Sequence, residues 1–458
     1  MQKINNKTRI DIDSLGQINV PKDAYYGPFT VRAMKQYHTT ETKSHKELVK
    51  AFIMIKQAAA IANMNTTLDD EIGNAIIKAC KILYTGKHMD QIVIDSINSG
   101  AGTALHMNVN EVITNISLEI LGKKKGQYEY ISPNDHVNMS QSSNDTFPTA
   151  MNIAILNDLK LCLPHIIELK KILTKKAKQL STIKKIGRTH LMDAVPVTLG
   201  SEFGAYAIAV EKSLHYIVNA SKELENIALG GTAVGTRANA NKKYLEKVVY
   251  ELKKISKLNL RAEKNLQYAT QSRFSISNLS SSIKNFVLEI NRIANDIRLM
   301  ASGPIAGLGE IIIPTVHAGS SIMPGKVNPS LAECMNMICF KIIGNDTTIS
   351  HSVQNGQLEL NVMMPIMAKC ILESIDILTN FLPIFSSNLI DGIQANEKNL
   401  KKYIENSPVI ITLLTPKIGY NKASELFKKS LSENISIKTL IINEKILTEK
   451  EFNLLMNK

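Results

Sequence analysis

Apolar residues recur at alternating spacings of three and four along the middle of the chain, a pattern that predicts long amphipathic helices. The most regular stripe lies between residues 276 and 300, and its average period is that of a seam between packed helices. Its members are Ile276, Leu279, Ile283, Phe286, Ile290, Ile293, Ile297 and Met300. The stripe predicts a single long helix whose apolar edge packs against other helices.

Four more segments of the chain read as long helices. Two of them carry similar stripes, from Leu156 to Leu173 and from Phe203 to Ile227, and the other two cover residues 332–349 and 365–385. Five such helices in sequence predict a helical bundle. The stripes are longer than one isolated subunit requires, so they also predict oligomerisation through helices, with a self-contained monomeric bundle as the alternative.

The same reading divides this mainly α chain into three predicted domains. Residues 1–139 form a mixed, mostly helical domain, residues 140–395 the central long-helix bundle, and residues 396–458 a small helical C-terminal domain. Within the first domain the pattern predicts short strands or loops between residues 10 and 20, helices at 46–63 and 68–83, and a glycine-rich break at 99–103.

Composition narrows the class of protein. The chain has 458 residues, 44% of them apolar and 21% charged, and a net charge of +13. The positive charge is mostly scattered lysine with few aromatic residues, which argues against nucleic-acid binding. The five cysteines include no CxxC pair, which argues against a disulfide scaffold or a thiolate zinc site. The polar N-terminus and the lack of a long apolar run predict a cytoplasmic protein without a membrane span.

The glycine-flanked loop at residues 319–329, GSSIMPGKVNP, concentrates reactive side chains before a predicted helix. Successive backbone N–H groups in such a loop can cradle an anion, and Lys326 can neutralise a carboxylate or phosphate. A serine among these donors, with its alkoxide stabilised, can act as a base. The alternative is a flexible loop between helices, with Lys326 merely solvated.

Three other polar islands accompany this loop. Residues 187–193 place His190 beside Thr189 at an expected helix end, residues 132–145 are dense in short hydrogen-bonding side chains, and residues 100–103 read GAGT. No nucleotide-binding motif and no cluster of acids with metal-ligand spacing is present. The combined chemistry predicts a small anionic substrate, such as a dicarboxylate, handled by acid–base catalysis without a cofactor.

The islands together resemble the fumarase/aspartase superfamily. The loop at 319–329 is similar to that family's signature loop, and further segments follow in the family's order. These are GAGT (100–103), SPNDHVNMSQSSND (132–145), GRTHLMDAVP (187–196), LGGTAVGT (229–236) and SGPIAGLGEI (302–311). The resemblance implies a three-domain, mainly α subunit, a homotetramer built on the long central helices, and active sites shared between three subunits.

The resemblance also implies roles for particular residues. Ser320 would be the general base, Ser321 would add a hydrogen bond, and Lys326 and Asn328 would bind a carboxylate and stabilise an aci-carboxylate intermediate. His190, paired with Glu333, would assist at the substrate. The residues implied to position the substrate are Thr103, Ser142, Ser143, Asn144 and Thr189. Neither a cofactor nor a metal ion is implied.

Several positions favour the aspartase branch, in which ammonia leaves aspartate to give fumarate. The segment AYYG at residues 24–27, the alanine in GAGT and Ser132 all resemble aspartases, whereas QSSN at residues 141–144 resembles fumarases. His190 occurs in both branches. A class II fumarase is therefore the alternative.

Other positions depart from the family pattern and motivate a third hypothesis, a weakly active or non-catalytic scaffold. Arg237 stands where glycine is usual, which is costly if φ there is positive. The other main departures are Ala104, His106, Ile305 and Met364.

Overall fold

A computed structural model of the protein describes residues 8–64, 66–98 and 100–457. The N-terminal part contains one β-hairpin and four helices. These elements are β1 (Thr8–Asp13), β2 (Gly16–Pro21), α1 (Pro28–Gln36), α2 (Lys46–Asn63), α3 (Asp70–Tyr84) and α4 (Thr103–Ile120). The region expected to contain short strands or loops forms two strands, and both helices predicted for this part of the chain are confirmed. The predicted break also lies where expected, as a short turn at Gly100–Gly102, although Ser99 falls outside the described residues.

The middle of the chain contains the five long helices that the periodicity predicted. The elements are α5 (Ser143–Gln179), β3 (Lys184–Thr189), β4 (Met192–Thr198), α6 (Leu199–Ser221), β5 (Asn226–Ile227), α7 (Lys242–Ser256), β6 (Arg261–Ala262), α8 (Leu266–Gln271), α9 (Phe274–Met300), β7 (Ile311–Ile312), α10 (Ser330–Gln354) and α11 (Met364–Ile384). The mainly α fold class is therefore confirmed.

The C-terminal part consists of shorter helices, as the prolines and glycine predicted. Its elements are β8 (Gln394–Ala395), α12 (Glu397–Asn406), α13 (Thr415–Ile418), α14 (Tyr420–Glu433), α15 (Ile437–Asn443) and α16 (Glu449–Asn457). The strands form two-stranded pairs: β1–β2, β3–β4 and β7–β8 are antiparallel, and β5–β6 is parallel.

The stripe on α9 lies in the core of the single chain. Ile276 and Ile297 are fully buried, and Met300, the most exposed of the eight side chains, is only 5% exposed. The stripe therefore does not itself provide an oligomer surface, contrary to the expectation from the sequence. The second stripe was extended too far, because α6 ends at Ser221 and the chain becomes extended at Asn226 to pair with β6.

The chain folds as two compact units. Unit 1 comprises residues 1–164, 215–285 and 340–379, and unit 2 comprises residues 165–214, 286–339 and 380–458. Every boundary between them falls inside one of the five long helices. The predicted division into domains 1–139, 140–395 and 396–458 stays a prediction.

In unit 1, α2 packs against α3 and α7, and α4 packs against α1 and α3. Helix α2 begins where the His45 side chain accepts a hydrogen bond from the Glu47 N–H, and α3 begins where Asp69 caps two N–H groups. The small side chains Ala58, Ala59 and Ala60 are all buried in α2. The caps fix where α2 and α3 begin, and the small side chains let neighbouring helices pack closely against α2.

In unit 2, the β3–β4 hairpin packs against α12 and the turn at residues 408–414. Ile186 of β3 belongs to an apolar cluster that includes Leu426 and Ile441 of the C-terminal helices. Burial of these side chains fixes the short helices, which would be marginal alone.

Two helical stretches, Ser143–Gln179 and Met364–Ile390, have the length and hydropathy of membrane spans, contrary to the expectation that the chain contains no such run. Their most apolar windows are 56% and 50% buried inside the protein. The core helices of soluble proteins meet the same criteria, so length and hydropathy alone are weak evidence for a membrane span here.

Candidate active site

The predicted site residues fall in both units. Thr103 and the Ser142–Asn144 segment belong to unit 1, whereas the hairpin at Thr189–His190 and the segment from Ser320 to Glu333 belong to unit 2. Each set is described in its own unit.

Thr103 is the first residue of α4. Ahead of it the backbone turns sharply, with Ala101 at φ 54° and Gly102 at φ 82°. A side chain at Gly102 would also collide with the ring of Phe147, so both the conformation and the space require glycine. The Thr103 hydroxyl donates to the Gly100 carbonyl at 2.6 Å, which closes the turn.

Helix α5 begins with a reciprocal pair of capping hydrogen bonds. The Ser142 hydroxyl accepts from the Asn144 N–H at 3.2 Å, and the Asp145 carboxylate accepts from the Ser142 N–H at 3.0 Å. Such a pair satisfies N–H groups that a helix start otherwise leaves free. It therefore holds residues 142–144 in one conformation.

Asp145 ties this helix start to the loop at residues 229–236. Its second carboxylate oxygen accepts from the N–H groups of Gly230 and Thr232 at 3.0 and 2.9 Å. The Asn144 amide donates to the Ala233 carbonyl at 2.7 Å. Full burial raises the pKa of Asp145 to about 6, against the opposing effect of these hydrogen bonds.

A buried hydrogen-bond chain ends on Ser143. The Lys56 ammonium group contacts His106 Nε2 at 2.5 Å and donates to Asn138 and Gln141 at 2.9 and 3.0 Å. His106 Nδ1 lies 2.8 Å from the Ser143 hydroxyl. While Lys56 is protonated its ammonium group has only donors, so Nε2 accepts and Nδ1 carries the proton. The Ser143 oxygen then accepts from His106, and its own proton remains available to a ligand.

The protonation states of Lys56 and His106 follow from their burial. Lys56 and His106 are fully buried. Burial lowers the pKa of Lys56 to about 7, and burial together with the neighbouring ammonium group holds the pKa of His106 well below its ordinary value. His106 is therefore neutral in the physiological range, as the proposed tautomer requires.

From the sequence, His106 stands out only as a departure from the family, and Lys56 is not predicted at all. Lys56 lies one turn after Phe52 and one turn before Ala60, on the apolar side of α2. A lysine in that position was a signal of a buried polar partner, because lysine is almost never fully buried unless paired.

Thr189 and His190 lie at the tip of a β-hairpin and not at a helix end, so that expectation was wrong. His190 and Leu191 have φ values of 56° and 60°, and Thr189 pairs with Met192 across them. Two successive residues with positive φ are typical of the turn that suits the twist of paired strands. The turn leaves both Thr189 and His190 exposed.

Buried ion pairs hold the base of this hairpin. Lys185 contacts Glu310 at 2.7 Å and Glu202 at 3.0 Å, and Arg188 also contacts Glu310. Glu310 is fully buried, so its charge depends on these two partners. The SGPIAGLGEI segment thus fixes the hairpin that carries His190.

The loop at residues 319–329 is closed by its own atoms. The Asn328 amide donates to the Gly319 carbonyl, which joins the two ends of the loop. The Ser320 hydroxyl oxygen accepts from the N–H groups of Ile322 and Met323 at 3.2 and 2.9 Å. Two donors aimed at one oxygen stabilise negative charge there. Ser321 and Lys326 are exposed.

Glu333 lies in the first turn of α10 and is half-buried. Among the residues that the structure describes, no hydrogen bond or ion pair joins its side chain to His190 of the same chain. Their pairing stays a prediction.

The residues that depart from the family pattern differ in backbone conformation and in burial. Arg237 has a φ of 64°, the conformation in which a glycine is least strained. Ala104 and Met364 are buried, so their apolar side chains fit the core, whereas Ile305 is 93% exposed. Of these, Arg237 carries a backbone cost.

Comparisons with known proteins identify the family of the chain. A lyase family model matches residues 16–344, and a fumarase C C-terminus model matches residues 410–458. An aspartate ammonia-lyase from a Bacillus species is 44% identical over 99% of this chain and 97% of its own length.

Solved structures extend this similarity to the fold. A fumarate lyase:delta crystallin from Brucella melitensis, bound to cobalt, is 38% identical with a TM-score of 0.95 and covers 98% of both chains. A class II fumarase from Schistosoma mansoni is 32% identical with a TM-score of 0.93, again over 98% of both chains. The chain therefore belongs to the fumarase/aspartase family of lyases.

Proposed function

We propose that this protein is an aspartate ammonia-lyase, which converts L-aspartate reversibly into fumarate and ammonia. The proposal is supported by family membership and by aspartate ammonia-lyases from Bacillus and Escherichia coli that are 44% and 40% identical over nearly the whole chain. The observation that carries the chemistry is the Ser320 hydroxyl oxygen with two backbone N–H groups directed at it.

In this reaction Ser320, as its alkoxide, removes a proton from Cβ of aspartate. The electrons of the broken C–H bond move into the adjacent carboxylate and give a doubly charged aci-carboxylate. Lys326 and Asn328 stabilise that charge as it develops. The electrons then return to form the double bond while the Cα–N bond breaks, so that ammonia leaves on the opposite face and fumarate remains. Ser321 adds a hydrogen bond to the substrate.

The unit 1 residues bind and orient the substrate. Ser142, Ser143 and Asn144 offer hydroxyl and amide groups at the start of α5, and Thr103 marks the start of α4; backbone N–H groups at both helix starts also favour anions. Ser143 is the most defined of them, because His106 occupies its acceptor position and leaves its proton free to donate to a carboxylate.

Thr189, His190 and Glu333 complete the site in an assembly of subunits. We infer a homotetramer in which each site combines segments of three subunits. Long helices of the chain expose large apolar side chains that an assembly would cover. These include Ile208 and Tyr216 on α6, Phe274 and Leu288 on α9, and Met337 and Phe340 on α10. His190 and Glu333, unpaired with each other in one chain, would meet across subunits.

We place the enzyme in the cytoplasm, without a membrane or nucleic-acid partner. Its five cysteines are all free, and four of them are buried. Free thiols suit a reducing compartment.

Absorbance of fumarate tests the proposal directly. Purified protein is supplied separately with L-aspartate and L-malate, and fumarate and ammonia are measured. We expect fumarate and equimolar ammonia from aspartate and no comparable rate from malate. Fumarate from malate alone would identify the alternative, a class II fumarase. The similarity to the class II fumarase from Schistosoma mansoni is the reason to test it. A folded protein inactive on both would indicate the non-catalytic scaffold.

A further inference from the structure

A second cluster of ligating side chains lies in unit 1 and takes no part in the proposed elimination. It consists of His45 at the start of α2, Asp158 on α5 and Asp376 on α11. One ligand atom from each residue lies within 4.8 Å of the other two. The three residues are far apart in sequence, so no spacing pattern could have predicted them.

The hydrogen bonds of His45 leave one carboxylate without a partner. His45 Nδ1 accepts from the Glu47 N–H at 3.3 Å, which leaves the ring proton on Nε2, 2.8 Å from Asp376. Asp158 Oδ2 lies 3.8 Å from Nδ1, which has no proton to donate to it.

Asp158 is the group that requires a cation. It is 4% exposed, and its Oδ2 atom is buried without a hydrogen-bond partner among the described residues. A buried carboxylate oxygen is costly unless it is paired, and Asp376 adds a second negative charge beside it. The nearby Glu47 is itself paired with Lys50 at 2.8 Å. Lys46 and Lys50 also act on Asp158 electrostatically, but among the described residues neither forms an ion pair with it, so its Oδ2 atom stays unpaired beside the imidazole.

We propose that His45, Asp158 and Asp376 bind one divalent transition-metal ion, with zinc as the representative case. One imidazole nitrogen and two carboxylate oxygens form a ligand set that suits zinc, whereas magnesium prefers oxygen ligands alone. Metal–ligand distances of roughly 2.0–2.2 Å would draw together the three ligand atoms, which lie within 4.8 Å of one another. The Asp376 side chain is 43% exposed, which gives the ion access to solvent and a place for a water ligand.

The ion would join three helices of unit 1. Helix α5 carries Ser143 at its start and Asp158 four turns later, so the site would stabilise the helix that presents the binding hydroxyls. The role is structural, and the inference does not depend on which reaction the protein catalyses.

Zinc binding to the full-length protein tests the site. Protein freed of metal by a chelator is dialysed against zinc chloride, bound zinc is counted per chain, and Tm is measured with and without zinc. We expect one zinc per chain from this site and a Tm raised by several degrees, with no comparable shift from magnesium chloride.

The variants Asp158→Asn and His45→Asn remove ligands with little change of shape, and asparagine at position 45 retains the ability to cap α2. Each should weaken zinc binding by about 100-fold and abolish the Tm shift. His38→Asn is the matched control, since His38 is an exposed histidine 3.7 Å from Glu41 and outside the cluster.

Two results would overturn the proposal. The first is a wild-type protein that binds no zinc and shows no Tm shift. The second is unchanged zinc binding and Tm shift in a folded Asp158→Asn protein. If that variant does not fold, the anomalous signal of zinc in wild-type crystals decides, because a peak anywhere but between these three residues contradicts the assignment.

Discussion

Ser143 and Ser320 are both hydroxyl groups of the candidate site, but they are held in different ways. Ser143 receives its hydrogen bond from His106, at the end of a buried chain that begins at Lys56. Ser320 receives two from the backbone of its own exposed loop. The proposed binding group is thus oriented by the core, while the proposed base carries its stabilising donors with it. The loop can therefore move as a unit without losing them.

Removal of the Ser320 hydroxyl should have the largest effect. For Ser320→Ala we expect kcat on L-aspartate to fall by about 10³-fold or more, because the proton-abstracting group is lost. Initial rates of fumarate formation measure the effect, with Ser432→Ala as a control on an exposed serine of α14. Near wild-type turnover by Ser320→Ala would remove Ser320 from the mechanism.

The buried hydrogen bonds from Lys56 through His106 to Ser143 should affect mainly substrate binding. His106→Asn shortens the side chain and removes the donor to Ser143, so we expect KM to rise about tenfold, equivalent to one hydrogen bond, while kcat changes much less. The same change combined with Ser143→Ala should add little further. Additive effects on KM in this double-mutant cycle would show that His106 does not act through Ser143.

The pH dependence of stability should report on Lys56. Its folded pKa of about 7 lies below the unfolded value of roughly 10.4. Between these values the unfolded chain binds more protons, so the contribution of Lys56 to stability rises with pH, by at most about 1.4 kcal/mol per pH unit. At lower pH the charged, buried form is least favourable relative to the unfolded state.

Urea unfolding of wild-type protein and Lys56→Met at pH 7, 8 and 9 measures this effect. As pH rises, the free energy of unfolding of the wild type should increase relative to that of the Lys56→Met variant. Lys401→Met, at an exposed position of α12, should run parallel to the wild type. Parallel curves for Lys56→Met as well would contradict a lowered pKa for Lys56.

The smallest effect is expected at Arg237. Arg237→Gly should raise the free energy of unfolding by about 0.5–1 kcal/mol, since relief of the left-handed conformation exceeds the entropy cost of glycine. Arg237→Ala should give no such gain, because alanine keeps the Cβ atom. Equal gains from both variants would point to the arginine side chain instead of the backbone.

Much of the secondary structure was predictable because it follows from local periodicity. The helix predicted at residues 46–63 has the same bounds as α2, and the stripe from Ile276 to Met300 lies within α9. Where a segment leaves its helix for tertiary reasons, the prediction was wrong. Ile227 continues the apolar spacing of α6, but it lies in a strand that pairs with β6.

The candidate site was predictable only where its residues are adjacent in sequence. The loop at 319–329 could be recognised because Ser320, Lys326 and Asn328 lie within nine residues. The position of His190 on a hairpin tip was missed, because a turn with two positive φ values at His190 and Leu191 contains none of the glycine or asparagine residues that usually mark it.

The sequence by itself determined the helical class, the long central helices and the chemistry of the signature loop, because these depend on residues that are close along the chain. Only the tertiary structure decided that the Ser143 hydroxyl oxygen lies against His106, and only it brought His45, Asp158 and Asp376 together. Both depend on side chains from helices that are distant in sequence. Their packing and burial set the distances, protonation states and charges, which no local pattern contains.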